Sequence, residues 1–187
     1  MSEEYVVSHD QVRGPWVQGR SGRLFYLQDP RPEYVDVRDV AHALANLCRY
    51  TGHTRAFFSV AQHCVLVSRT CDPEHARDGL VHDAAEAYVA DLSAPVKSLL
   101  PEYRALEHRV ATAVAAHFGV TWPPPPCVRL ADRRVFLAEA RDLMGPPVAL
   151  PYPGDPAPAE LVVEPWSPTE AAVRFLQRYG ELWDGRL

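Results

Sequence analysis

Three short stretches carry residue types that could build a metal or acid–base site. They are SVAQH at 59–63, HDAAEAYVADLSAPVK at 82–97 and LADRR at 130–134. In the second, Leu80, Val81, Ala84, Ala85, Ala87 and Val89 surround His82, Asp83 and Glu86 with apolar neighbours, so a helix here would hold three ionisable groups where water is scarce. At 3.6 residues per turn Glu86 stands ~40° round from His82, on the same face. A bound metal is the most economical account of that grouping; a helix whose solvated side carries all three is the other. His63 lies beside Cys64 on the inward side of its own helical pattern and, taken alone, reads as a hydrogen-bonded core histidine. Asp132 sits next to Ala131, Arg133 and Arg134, so either an arginine or a metal neutralises it. Together, two imidazoles and two carboxylates at inward positions form a nitrogen and oxygen set suited to Mn, Co, Fe or Zn and less to Mg alone.

These groups need a helical frame to bring them together. The 187-residue chain, 47% hydrophobic and 23% charged, has the size of one domain with a core of its own. Asp36 caps an amphipathic helix through Val37, Val40, Ala41, Leu44, Leu47 and Cys48 that ends near 49–52; RYTGHTR then places Arg49, His53 and Arg55 in a loop. Ser59 and Gln62 form a capping box ahead of Val60. One helix runs from Asp72 towards Asp91. Were it unbroken, Asp91 would face ~180° away from His82, so a useful Asp91 needs the break that LSAP supplies before a short helix carrying Lys97, with Ser93 as its N-cap. Tyr103 to Phe118 and residues 127 to 142 give two further helices, and Ser167-Pro168-Thr169-Glu170 opens a last one. Ahead of them, WVQGRSGRLFY at 16–26 reads as a hairpin that packs on the helical body, preceded by a loose arm over 1–15. Residues 145–168 hold eight of the eighteen prolines and read as an extended arm rather than a second domain. The expected architecture is therefore all-α, with the core at about 16–144 and the proline-rich arm and terminal helix at 145–187.

A formal charge of −5 with no Lys/Arg run longer than two argues against a nucleic-acid polymer or a membrane surface as partner. No apolar run reaches ~18 residues and MSEEYVVSHDQ lacks signal-peptide regions, which leads us to expect a cytoplasmic protein. Cys48, Cys64, Cys71 and Cys127 show no C-x-x-C pairing and read as reduced thiols in packing roles.

SVAQH, HDAAEAYVADLSAPVK and LADRR, in this order and at these distances, resemble the words of the HD-domain phosphohydrolases over roughly residues 16 to 144. The chain looks most like the YfbR-type 5'-deoxynucleotidases and, in its Trp-Val-Gln opening and compact length, the phage-type DatZ-like dATP triphosphohydrolases. The resemblance implies a compact HD-domain helical bundle in which His63, His82, Asp83 and Asp132 hold one divalent transition metal (Co, Mn, Zn or Fe). It further implies Glu86 as general base or orienter of the attacking water, and Asp91 as support for the nucleophile or reader of the sugar 3'-hydroxyl. Arg49 and Lys97 match phosphate-contacting positions, Arg55 is an additional candidate, and Pro95 matches a position that shapes the base pocket. Tyr50 stands where the YfbR-type members carry tryptophan near the sugar. The expected reaction is hydrolysis at the 5' phosphoester of a 2'-deoxynucleotide, favoured as a triphosphate that brings additional Mg and leaves tripolyphosphate; the alternative is a monophosphate giving orthophosphate. A homo-oligomer is expected, because the last helix offers an apolar face beyond what the body requires and the family points the same way. Two rival readings are a non-catalytic nucleotide-binding HD protein and a di-iron HD oxygenase. The second would need His108 and His117, nine residues apart on one helical pattern, to converge.

Overall fold

Helix α2 (Val60–Thr70) forms the axis of the molecule. Ser59 Oγ accepts from Gln62 N–H at 3.1 Å and starts it, as the capping pattern predicts. The Gln62 side chain does not close the reciprocal half of the box. It donates to Glu164 O at 2.7 Å and accepts from Trp166 N–H at 2.8 Å, tying down the segment that leads into the last helix. Every residue from Val60 to Ser68 is buried. One side of α2 packs Ala61, Cys64 and Val65 into the main core, the other packs Leu66 and Val67 against a second apolar cluster, and His63 lies on the helix face shared with Leu66 and Val67.

The structure is a computed structural model that describes residues 9–10, 13–145 and 158–185. Most of the expected N-terminal arm, and residues 146–157 of the proline-rich arm, lie outside the described residues. A short strand β1 (His9–Asp10) pairs with β2 (Gly14–Gln18), which pairs antiparallel with β3 (Leu24–Tyr26) in the register Trp16 opposite Tyr26. This is the expected hairpin, and it packs as expected: Phe25 is buried and its ring stacks on Tyr88 with centroids 3.8 Å apart. Asp39 accepts from both the N–H (2.8 Å) and the hydroxyl (2.6 Å) of Ser21, pinning the turn to α1 (Val37–Asn46). A Cβ on Gly19 would sit 2.3 Å from Asp39 Oδ2, so the close approach requires glycine there.

Asp36 caps α1 by accepting from Arg38 N–H at 2.8 Å. The helix stops at Asn46, short of the expected 49–52, because Leu47 turns extended and Cys48 bridges Ser59. A tight turn at 49–52 follows in which Tyr50 (φ 56°) and Thr51 (φ 54°) are both left-handed, at a cost of about 1 kcal/mol each.

The expected central helix is divided. A 3₁₀ turn at 73–75 leads to α3 (Ala76–Val81), and α4 (Glu86–Val89) follows after residues 82–85. In between, Ala84 N–H bonds Val81 O and Glu86 N–H bonds Asp83 O, a tightened i to i−3 pattern. The cause is local: Gly79 O, which a regular helix would offer to Asp83 N–H, accepts from His82 Nδ1 at 2.9 Å. With about three residues per turn Glu86 stacks over Asp83, which replaces the ~40° offset from His82. The break that Asp91 requires is present at Ala90, with φ 68° and ψ 162°. Ser93 begins α5 (Ala94–Leu99) without the expected side-chain cap; its carbonyl accepts from Lys97 N–H.

Helix α6 (Pro101–Phe118) ends at Gly119 (φ 65°), whose left-handed conformation closes the helix. Helix α7 (Pro126–Leu143) lies against α2 and carries Asp132. Ser167 caps α8 (Pro168–Leu182) by accepting from Glu170 N–H, as predicted. Its face of Ala171, Phe175 and Tyr179 is buried against α1, α2 and α3 of the same chain. That corrects the reason for expecting an oligomer: the face is already used. The described residues are thus mostly helical with a small antiparallel sheet, and none of their helices is long and apolar enough to cross a membrane.

Candidate metal centre

Helices α2 and α7 and the turn after α3 bring His63, His82, Asp83 and Asp132 together. His63 Nε2 lies 3.3 Å from His82 Nε2, 3.2 Å from Asp132 Oδ1 and 3.6 Å from Asp83 Oδ2. His82 Nε2 lies 3.1 Å from the same Asp83 oxygen. The other nitrogen of each ring is occupied: His63 Nδ1 faces Glu139 Oε1 at 2.7 Å and His82 Nδ1 faces Gly79 O at 2.9 Å. With protons on both Nδ1 atoms, the two Nε2 lone pairs point at each other and repel unless a cation stands between them. The residues therefore fit a divalent ion. Two inward Nε2 donors, Asp132 and Asp83 converge on one place, and each imidazole is oriented by a hydrogen bond from behind.

The electrostatics agree. Burial works against a charged His82, but the Asp83 carboxylate and its hydrogen bond outweigh it and hold the pKa well above the ordinary value. Burial and Arg49 oppose a charged His63, yet Glu139 and Asp132 still raise its pKa. Burial likewise opposes ionisation of Asp83, and His82, His63 and Arg49 override it and push its pKa down. Asp132 is lowered against burial chiefly by His63. A pocket that strengthens proton binding at two imidazoles through fixed carboxylates attracts positive charge, and a divalent ion would satisfy it more fully.

Glu139 is the residue that the sequence reading missed. It is fully buried on α7, two helical turns after Asp132, and accepts from Tyr50 OH besides facing His63 and Arg49 (Nε to Oε2, 3.3 Å). Burial would raise its pKa, but Arg49 and His63 hold it below the usual carboxylate range. Its signal was available in outline: a carboxylate seven residues after Asp132, flanked by Ala138 and Ala140.

Arg49 is at the centre as expected, but already paired, with Asp83 (3.6 Å) as well as Glu139, and its guanidinium lies over the Tyr50 ring. Tyr50 thus holds Glu139 and Arg49 from behind. Asp132 is engaged by His63, while Arg134 pairs with Glu160. Cys64, assigned to packing, is buried against the centre, and burial, opposed by the nearby His82, pushes its pKa up to about 11. Cys48, also assigned to packing, is exposed. Arg55 is exposed, its backbone N–H bound to Leu143 O, and Pro95 is exposed in the first turn of α5; neither lines a described cavity. His108 accepts from Trp122 Nε1, and His117 Nδ1 faces Pro32 O, so each of these α6 histidines is engaged elsewhere.

Glu86 stands at the edge of the centre. It is buried, its Oε1 is 3.3 Å from Lys97 Nζ, and its Oε2 has no hydrogen-bond partner. Burial, then Asp83 and Asp91, push its pKa well above the carboxylate range in spite of Lys97. Lys97 also bonds Glu107. Burial raises the pKa of Asp91, and Asp83 adds to it. Glu86 also lines an open cavity of about 560 Å³ with Leu27, Leu47, Tyr88, Tyr103 and Leu106, a volume in the range of small-molecule sites.

No family model matches the chain. It is 36% identical over 165 residues to the uncharacterized protein YfdR of Escherichia coli strain K12, an alignment that covers 87% of this chain and 92% of YfdR. It is 32% identical over 140 residues to the uncharacterized protein RCAP_rcc00048 of Rhodobacter capsulatus, covering 70% of this chain and 71% of that one. Identity at this level over nearly the full length of both proteins places the chain in one family with YfdR.

Proposed function

We propose that the chain is a metal-dependent HD-domain phosphohydrolase that cleaves the 5' phosphoester of 2'-deoxynucleotides. The observation that carries this reading is the pair of inward Nε2 atoms with Asp83 and Asp132, set beside a buried Glu86 that has one carboxylate oxygen without a hydrogen-bond partner and lines a cavity of about 560 Å³. A divalent ion held by His63, His82, Asp83 and Asp132 would supply Lewis acidity and make a water available as nucleophile near neutral pH. In this reading Glu86 takes that water's proton, and its raised proton affinity suits a general base. Lys97, one bond away from Glu86, can follow a phosphoryl oxygen as charge develops. Leu27, Leu47 and Leu106 offer an apolar wall to a base or sugar, whereas Asp91, beyond the Ala90 break, is not among the residues that line the cavity.

The number of phosphates turns on free cations. The expectation of a triphosphate rests on Arg49, Lys97 and Arg55 reaching outer phosphates, but Arg49 already faces two carboxylates, Lys97 faces two more, and Arg55 is exposed on its loop. That arrangement favours one phosphate over three. The triphosphate reading keeps one point in its favour: Glu86 Oε2 could bind a Mg ion that arrives with the substrate. Incubation of the Mn- or Co-loaded protein with each deoxynucleotide mono- and triphosphate, followed by phosphorus NMR, separates them. Orthophosphate from dNMP supports the first, tripolyphosphate from dNTP the second, and neither product from any nucleotide overturns the proposal.

A further inference from the structure

His82 belongs to two overlapping ligand sets. One is His63, His82 and Asp132; the other is Cys64, His82 and Asp83, and in each set one ligand atom per residue lies within 4.8 Å of the others. We propose that Cys64, His82 and Asp83 form a second metal site, selective for soft divalent ions such as Cd(II), whose occupation takes His82 away from the first. This rests on the metal reading of the first set.

The two sets differ in chemistry more than in place. His63, His82 and Asp132 offer only nitrogen and oxygen, which suits Mn, Co and Fe; Cys64 adds a thiolate, which shifts preference towards thiophilic ions. Cys64 is fully buried on α2, one residue after His63, so its sulfur approaches the centre from the core side. Asp83 is the more open member, with 23% of its side chain exposed, and gives an ion a path from solvent to the sulfur. Binding there releases the thiol proton to solvent and forms one metal–sulfur bond, with no change of oxidation state. Because the second set takes His82 and also Asp83, both of which the first centre uses, the two cannot be filled by full-strength coordination at once. A soft ion is thus a competitor of the first-set metal, and Cys64 is the residue that lets it compete.

The test uses the full chain stripped of metal. Titration with Co(II) followed by Cd(II) should show Cd(II) displacing Co(II) one for one and a thiolate-to-cadmium charge-transfer band growing in the ultraviolet, at shorter wavelength than the aromatic absorption. Cys64→Ser and Cys64→Ala should both lose the band while still binding Co(II). Cadmium-113 NMR of the unaltered chain checks the same point without a variant, since a sulfur ligand moves the resonance downfield of an all-nitrogen and oxygen site. Co(II) binding with no thiolate band from Cd(II), a band that survives in the Cys64 variants, or Co(II) and Cd(II) bound together at one each per chain would overturn the proposal. No binding of Co(II) in the first place would instead remove the metal reading on which it stands.

Discussion

The two sides of the HD turn are built on opposite principles. On the α2 and α7 side, charges are packed and paired: His63 with Asp132 and Glu139, Glu139 with Tyr50 and Arg49, Arg49 with Asp83. On the α4 and α5 side, Glu86 keeps an unpaired buried oxygen, Ala90 holds a backbone conformation that favours glycine, and a cavity of about 560 Å³ stands open. A site that must fix an ion needs its ligands locked by neighbours. A site that must admit and release a substrate needs polar groups left without partners until it arrives. Under the proposed function, ion binding belongs to the first side and substrate handling to the second.

The largest effect should come from the first side. His82→Ala or Asp83→Ala should abolish bound metal and activity together while leaving the helical circular dichroism intact, because the core is formed by other residues of the same segments. Retention of stoichiometric metal in either variant would show that the ligands are misassigned.

Next, Glu86→Ala should separate the two sides by keeping the metal and lowering turnover ~100-fold or more, the usual loss of a positioned base. Unchanged turnover would remove Glu86 from the chemistry and leave the cavity side without its base.

Glu139→Gln should act on the ion rather than the reaction. Loss of the charge behind His63 is expected to weaken metal affinity ~10–100-fold, with turnover at saturating metal much less affected. A fall in saturated turnover equal to that of Glu86→Ala would blur the division between the two sides.

The smallest effect is expected at Ala90→Gly. Glycine adopts φ 68°, ψ 162° without the penalty of a Cβ, so thermal stability should rise by an amount equivalent to about 1 kcal/mol. A lower melting temperature would mean that Ala90 is not strained.

The residues that converge on the first side were legible in the sequence because they occur in short words at inward helical positions: His63 behind a Ser59 cap, the His82-Asp83 pair, Asp132 beside Ala131. What lay behind them was harder to read. Glu139 is a single acidic residue with no word around it, and Arg49 reaches it only through a left-handed turn at Tyr50 and Thr51, neither of which is glycine. The tightened turn at 82–85 depends on His82 taking a backbone acceptor, a side-chain event that apolar periodicity does not encode. On the second side, the need for a break before Asp91 followed from helix geometry. The cavity did not, because its walls come from Leu27 just after β3 and from α1, α4 and α6, and only packing assembles them. The last helix was placed correctly from its cap, and its apolar face packs on the body of the same chain, so it no longer argues for a homo-oligomer.

The central claim is that the two imidazoles and their carboxylates hold one divalent ion, and calorimetric titration of metal-free protein with Mn(II) or Co(II) tests it most directly. The folded pKa values of His63 and His82 are raised, so without metal these rings keep protons to higher pH than free histidine. That proton-linked stability is fully present below about pH 6.5 and lost as pH rises through the raised values. Metal binding, which needs both rings neutral, must therefore strengthen over the same rise. The account predicts one ion per chain, bound more tightly at pH 8 than at pH 6 and lost in His82→Ala. No binding at either pH, or binding that neither pH nor His82→Ala alters, would contradict it.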